Sequence, residues 1–126
     1  MTARASALAT AAGQLLSSPQ GITYTTAPGT RARAASALLR LALDEAMDTF
    51  WREVSPGMTR ATGRSKALCL EWYTSASVAR QWYAVWSALS AACHHHIYEL
   101  PPTPSEVSAW HQDVTELLSV LPATRR

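Results

Sequence analysis

The chain has 126 residues, of which 48% are hydrophobic and 16% are charged, and its net charge at pH 7 is +2. This length supports one hydrophobic core but not two, and the composition excludes a disordered chain. So small a positive charge does not favour a dedicated duplex-binding protein, in which a basic face and a much larger excess are usual.

No segment of the sequence predicts export or a membrane location. The first residues lack the uninterrupted apolar stretch of a secretory signal, and no apolar run approaches the length that spans a bilayer. Cys69 and Cys93 lie in apolar helical context and form no CxxC motif, so we expect two reduced, buried thiols. We therefore expect a cytoplasmic protein. Arg outnumbers Lys ten to one, as in a high-GC bacterium of the actinobacterial type.

The predicted elements are all helical, because Ala, Leu and Trp dominate and runs of β-branched residues are almost absent. Pro, Gly and Thr residues between positions 18 and 30 predict a loop, after which Thr30 caps the second helix. Thr103, Pro104 and Glu106 form a capping box that starts the last helix. The predicted helices cover residues 3–17, 31–54, 59–72 (with Gly63 as a weak point), 77–95 and 104–121.

Apolar side chains at steps of three and four predict the buried face of each long helix. In the second helix this face comprises Ala35, Leu38, Leu39, Ala42, Ala46, Phe50 and Val54, and in the fourth Val78, Trp82, Val85, Trp86, Leu89 and Cys93. The sequence therefore predicts a single all-α domain, an up-and-down bundle of four to five helices. Residues 1–30 give a short helix and a loop, 31–121 the bundle core, and 122–126 a frayed tail.

The segment richest in side chains that can bind a metal or transfer a proton is Cys93-His94-His95-His96-Ile97-Tyr98-Glu99, where the predicted fourth helix ends. Consecutive helical residues point about 100° apart, so the three histidines cannot all bind one ion from a regular helix. A metal site would need the helix to unwind, or Glu99 or His111 as further ligands, and we expect no metal and no other cofactor. Adjacent positions on a helix also keep Cys93 and His94 from acting as a thiolate–imidazole pair.

The end of this segment resembles a known motif. His96-Ile97-Tyr98 is similar to the His-x-Tyr end of the Arg-x(4–6)-His motif of the HEPN superfamily. The stretch from Ala34 to Ala46 resembles the Arg-rich, Ala/Leu-rich second helix common there. In organisation the resemblance covers about residues 30–121. It implies a HEPN-like bundle that works as a dimer, with His95 or His96, beside Tyr98, as a general acid–base in metal-independent RNA cleavage.

The motif departs from the family pattern at its arginine. The positions four to six residues before His96 hold Ser90, Ala91 and Ala92, and the nearest preceding arginine is Arg80. Non-catalytic members of the superfamily bind or dimerise, and the resemblance then implies such a member. A purely structural role is also open, because a helix C-terminus favours positively charged imidazole.

Other side chains are candidates for contacts with a partner. Arg60, Arg64 and Lys66 form the only basic cluster, which can either touch phosphates or remain solvated. The five tryptophans are expected in the core or at a subunit interface. The candidate binding residues are His94, Glu99, Arg60, Arg64 and His111, of which His111 is either a satisfied histidine or part of the polar cluster.

The sequence thus predicts a HEPN-like dimerisation or binding module in a bacterial nucleic-acid, toxin–antitoxin or defence context. Its expected partners are a second copy or a cognate protein, with RNA as a further candidate and no membrane. Two alternatives stay open. The first is a degenerate metal-independent ribonuclease using His95, His96 and Tyr98. The second is a helical adaptor for the enzyme of a neighbouring gene, with Trp51 and Trp86 at the contact.

Overall fold

The computed structural model describes residues 3–17, 28–94 and 100–124. Over these ranges the protein is an all-α bundle of five α-helices and one short 3-10 helix, with no strand, as the sequence predicts. The helices are α1 (Ala3–Ser17), α2 (Pro28–Val54), the 3-10 helix (Pro56–Arg60), α3 (Gly63–Tyr73), α4 (Ala76–Cys93) and α5 (Pro104–Thr124).

The long helix α2 lies at the centre of the bundle. It packs against α1, α4, α5 and the 3-10 helix, whereas α3 packs mainly against α4. The largest fully buried side chains come from α2, α3, α4 and α5, and they include Trp51, Trp82, Leu39, Leu43, Met47, Leu70, Leu89 and Leu117. Because α3 has one main neighbour, the side of it that carries Leu68 and Trp72 remains exposed.

Side-chain caps fix where three of the helices begin. At α5 the Thr103 hydroxyl accepts from the Glu106 N–H at 3.1 Å, and the Thr103 N–H donates to the Glu106 carboxylate at 2.9 Å. This confirms the predicted capping box. The Ser75 hydroxyl accepts from the N–H of Val78 and starts α4 in the same manner.

Several predicted helix boundaries were wrong. The third helix does not begin at Thr59, because Thr62 caps it through the N–H of Ser65 and the preceding residues form the 3-10 helix. Gly63 is consequently the first residue of α3 rather than a weak point inside it. The second helix begins at Pro28 instead of after Thr30, which agrees with the preference of proline for the first turn.

The ends of α4 and α5 also differ from the prediction. α4 ends at Cys93, two residues before the predicted end, and His94 is its C-cap. α5 continues to Thr124, through the first part of the predicted tail. None of the helices in the described ranges combines the length and the hydropathy that crossing a membrane requires.

Some side chains predicted to face inward are only half-buried. They are Leu38, Val54, Val78, Trp86 and Cys93. Cys69 and Cys93 are free thiols as predicted, but neither is fully buried, because both lie at the edge of the core. The predicted stripe of α2 omits Leu43, Met47 and Trp51, which are fully buried and widen its buried face beyond a single stripe.

Candidate functional site

The outer surface of the hairpin formed by α3 and α4 carries exposed apolar side chains. Trp72 is 85% exposed, Leu68 is 68% exposed and Tyr83 is 40% exposed. Leu68 and Trp72 are four residues apart on α3 and therefore lie on the same side of it. We call Leu68, Trp72 and Tyr83 the α3–α4 face. Apolar clusters of this kind on a small protein mark surfaces that bind a partner.

A groove of about 580 Å³ runs along this face between the two helices. Small side chains, Ala67 on α3 and Ala79 and Ala84 on α4, leave the space open. The complete lining is Arg64, Ala67, Leu68, Glu71, Ala79, Arg80, Tyr83 and Ala84. Among these residues there is no histidine, cysteine, serine or threonine, and Glu71 and Tyr83 are the side chains of the lining that could transfer a proton.

Of the predicted His run, only His94 lies within the described residues. His95, His96, Tyr98 and Glu99 lie outside them. His94 is exposed at the end of α4, and its Nε2 atom accepts from Nη1 of Arg40 at 3.4 Å. Arg40 belongs to α2, so the fold brings an arginine to the His run from a helix 54 residues earlier in the chain.

The predicted basic cluster is divided by the fold. Arg60 is exposed at the end of the 3-10 helix, and Arg64 lines the groove of the α3–α4 face. Lys66 faces α2 instead, where its Nζ atom lies 4.0 Å from Oδ1 of Asp48. These three side chains therefore do not form one continuous phosphate-binding patch.

His111 has a partner inside the bundle. Its Nε2 atom donates to the carbonyl oxygen of Ala9 at 3.1 Å, and its ring lies against Gly13. The imidazole thus connects α5 to α1, which accounts for its half-buried position. Within the described ranges, no group of three or more His, Cys, Asp or Glu side chains is arranged to hold a metal ion.

Trp51 and Trp86 do not lie where the adaptor hypothesis expects them, which is at an exposed contact with a partner. Trp51 is fully buried, and Trp86 is half-buried against Gly63, so neither forms an exposed contact surface. Trp72 is the exposed tryptophan, and the sequence predicted it only as a core or interface residue. The four-residue spacing of Leu68 and Trp72 could have indicated a second apolar side of this short helix. Leu70 and Tyr73 already form the side that packs against the core.

In comparisons with known proteins, no family model, no curated protein and no solved structure matches the chain. The resemblance to the HEPN superfamily therefore stays a prediction.

Proposed function

We propose that the protein is a helical interaction module that forms a homodimer through its α3–α4 face. The observation that carries this proposal is Trp72, an indole that is 85% exposed one helical turn from Leu68, which lines the open groove. Leaving so large an apolar side chain in water forgoes about 1.5–3 kcal/mol of burial free energy. A second subunit that covers Trp72, Leu68 and Tyr83 would recover much of it.

A second copy is the occupant that this face fits best. In a two-fold symmetric interface one surface patch meets itself, so the patch must supply both the inserting group and the space that receives it. Here Trp72 is exposed on α3, and the groove between α3 and α4 begins at its neighbours Leu68 and Glu71. Tryptophan is also the side chain most often found as an anchor at the centre of such interfaces.

The charges of the groove support the same partner. Arg64, Arg80 and Glu71 line it, and none of them forms an ion pair with another described residue. A second copy would bring arginines to Glu71 and a glutamate to the arginines. A uniformly acidic partner would instead place like charge on Glu71, and a uniformly basic one would repel the two arginines.

Sedimentation equilibrium of the purified protein at high micromolar concentration tests the proposal. The expected result is a dimer for the wild type and a monomer for Trp72→Ala and for Leu68→Asp. Leu41→Asp is the matched control, because Leu41 is 53% exposed but lies on α2, outside the groove. Circular dichroism shows whether each variant remains helical. A monomeric wild type, or helical face variants that still dimerise, would overturn the proposal.

The contact between Arg40 and His94 favours a second candidate, metal-independent RNA cleavage. A guanidinium next to an imidazole can stabilise a phosphate while the imidazole transfers a proton. Incubating the protein with single-stranded RNA and a chelator tests this function. Cleavage is expected to disappear in Arg40→Ala and in His94→Ala but to persist in Arg52→Ala, an exposed control outside the predicted basic cluster. Cleavage that survives in all three variants would identify a contaminating nuclease.

A further inference from the structure

A second cavity lies on the side of α3 that faces α2. It has a volume of about 360 Å³ and is bounded by α2, the 3-10 helix, α3 and α4. Unlike the groove, it is lined by charged side chains from two helices, with two tryptophans from a third. We call it the polar pocket, and its chemically relevant lining consists of Arg40, Asp44, Asp48, Lys66, Trp82 and Trp86.

The two ion pairs of the polar pocket are loose. The Nε atom of Arg40 lies 3.7 Å from Oδ2 of Asp44, and Nζ of Lys66 lies 4.0 Å from Oδ1 of Asp48. Both distances exceed those of charge-assisted hydrogen bonds, which are about 2.7–2.9 Å. The Lys66 side chain is only 16% exposed, yet within the described part of the chain it has no closer acidic partner. An ammonium has three donors, so that of Lys66 retains donors that a ligand can use.

A buried donor on the pocket wall is also without a partner. The side chain of Trp82 is 1% exposed, and its indole N–H has no hydrogen-bond acceptor among the described residues. Trp82 stacks on Trp86 with ring centroids 5.6 Å apart, while the side chain of Trp86 hydrogen-bonds to Asp44. Buried N–H groups are nearly always paired. The pocket wall thus carries a buried donor to which a ligand can supply the acceptor.

The charge balance of the pocket selects the class of ligand. Two cations and two carboxylates sum to zero, so a simple anion attracted by Arg40 and Lys66 would be repelled by Asp44 and Asp48. A simple cation attracted by the two carboxylates would be repelled by Arg40 and Lys66. A ligand that carries both charges satisfies both sets of groups, and each loose ion pair can exchange a weak internal contact for a shorter one to the ligand.

We infer that the polar pocket binds a small zwitterion of the amino-acid type. Its carboxylate would accept from Lys66, Arg40 and the Trp82 indole, and its ammonium group would donate to Asp48 and Asp44. The half-buried ring of Trp86 would cover the methylene groups between the two charges. The cavity volume lies within the range of about 300–1,000 Å³ typical of small-molecule sites.

Isothermal titration calorimetry with the full chain tests the inference. The probes are glycine, β-alanine, γ-aminobutyrate and ε-aminocaproate, with butylamine and butyrate as single-charge controls. We expect saturable binding of at least one zwitterion, and binding of both controls weaker by at least about tenfold. Butyrate that binds as tightly as the zwitterions would show an anion site, and butylamine that does so would show a cation site. Either result, or binding of no probe at millimolar concentration, would overturn the inference.

Two substitutions remove one charge at a time. Asp48→Asn keeps the shape of the side chain and removes an anchor for the ammonium, and Lys66→Met removes an anchor for the carboxylate. Each is expected to weaken zwitterion binding by about tenfold or more. Arg52→Gln is the control, because Arg52 is exposed on α2 and lines neither the polar pocket nor the groove, and it should bind as the wild type does. Unchanged affinity in a folded Asp48→Asn variant would contradict the assignment even where Lys66→Met is unstable.

Discussion

The rim of the Trp86 indole lies directly against the backbone of Gly63. A Cβ atom at Gly63 would stand 2.5 Å from Cη2 of Trp86 and 2.8 Å from two further ring carbons, which is closer than real Cβ contacts. The ring has little freedom to move aside, because it stacks on the buried Trp82. The absence of a side chain at Gly63 thus permits the close packing of the start of α3 against α4.

Gly63→Ala should destabilise the protein by about 1–3 kcal/mol, because the added methyl group forces the Trp86 ring off Trp82. Urea unfolding followed by circular dichroism measures the change. Gly57→Ala is the matched control, since no atom lies within 4 Å of a Cβ at Gly57, and it should be neutral or slightly stabilising. Equal stability of Gly63→Ala and the wild type would mean that Trp86 is not held against α3.

Trp51→Ala should destabilise the fold by about 3–5 kcal/mol, because it removes a fully buried side chain at the last turn of α2. The ring also makes edge-on contacts with Phe50 and Tyr73, at centroid distances of 5.0 and 5.5 Å. Thermal unfolding is the measurement. The exposed neighbour Arg52 supplies the control, and Arg52→Ala should change the free energy of unfolding by no more than about 0.5 kcal/mol. A small effect of Trp51→Ala would be inconsistent with its burial.

The stability of the protein should depend on the ionisation of Asp44. Burial raises the pKa of this carboxyl above its ordinary value of 3.8, and Arg40 and the hydrogen bond from Trp86 offset the rise only in part. The folded protein therefore holds the Asp44 proton more tightly than the unfolded chain does. The stability that comes from binding this proton is fully present below pH 3.8. It is lost as the pH rises through the pKa of Asp44 in the folded protein.

Asp44→Asn should remove that loss, because the amide keeps the shape of the carboxyl without a charge. Free energies of unfolding from urea titrations at a series of pH values from about 3 to 7 provide the comparison. The wild type should lose stability relative to the variant as the pH rises through the folded pKa of Asp44. A difference that stays constant, or that changes in favour of the wild type, would show that burial does not govern this group.

His111→Ala should loosen α1 from the bundle, since the imidazole donates to the Ala9 carbonyl and lies against Gly13. The lost hydrogen bond is worth about 0.5–1.5 kcal/mol. Amide hydrogen exchange resolves the effect by helix, and faster exchange is expected in α1 than in α2. Thr115→Ala, on the same helix at an exposed position, should leave both helices unchanged. Uniform acceleration across the whole bundle would assign His111 to global stability instead.

Sequence patterns predicted those parts of the fold that depend on local interactions. The capping box of Thr103 and Glu106 is local in the chain, so the start of α5 was predicted correctly. The start of α3 was not, because Thr59 and Thr62 are both plausible caps. Only the packing of Gly63 on Trp86 selects Thr62, and not Thr59, as the residue after which α3 begins.

The candidate site depends on contacts that the sequence does not encode locally. Arg40 and His94 are 54 positions apart, and no periodic pattern relates them. Trp72 was expected in the core or at an interface because a helical stripe of aromatic residues usually faces inward. It is exposed because α3 packs mainly on α4 and so leaves its other side uncovered, a fact of topology and not of helix periodicity.

The most direct test of self-association through the α3–α4 face is a charge exchange between two variants. Glu71→Arg carries only positive charge in the groove, and the double variant Arg64→Glu/Arg80→Glu carries only negative charge. Light scattering after size-exclusion chromatography gives the mass of each variant and of their equimolar mixture. If the wild type pairs this face with itself, each variant alone should be a monomer through like-charge repulsion, and the mixture should form a heterodimer. A mixture that stays monomeric beside a dimeric wild type, or variants that dimerise alone, would contradict the proposed interface.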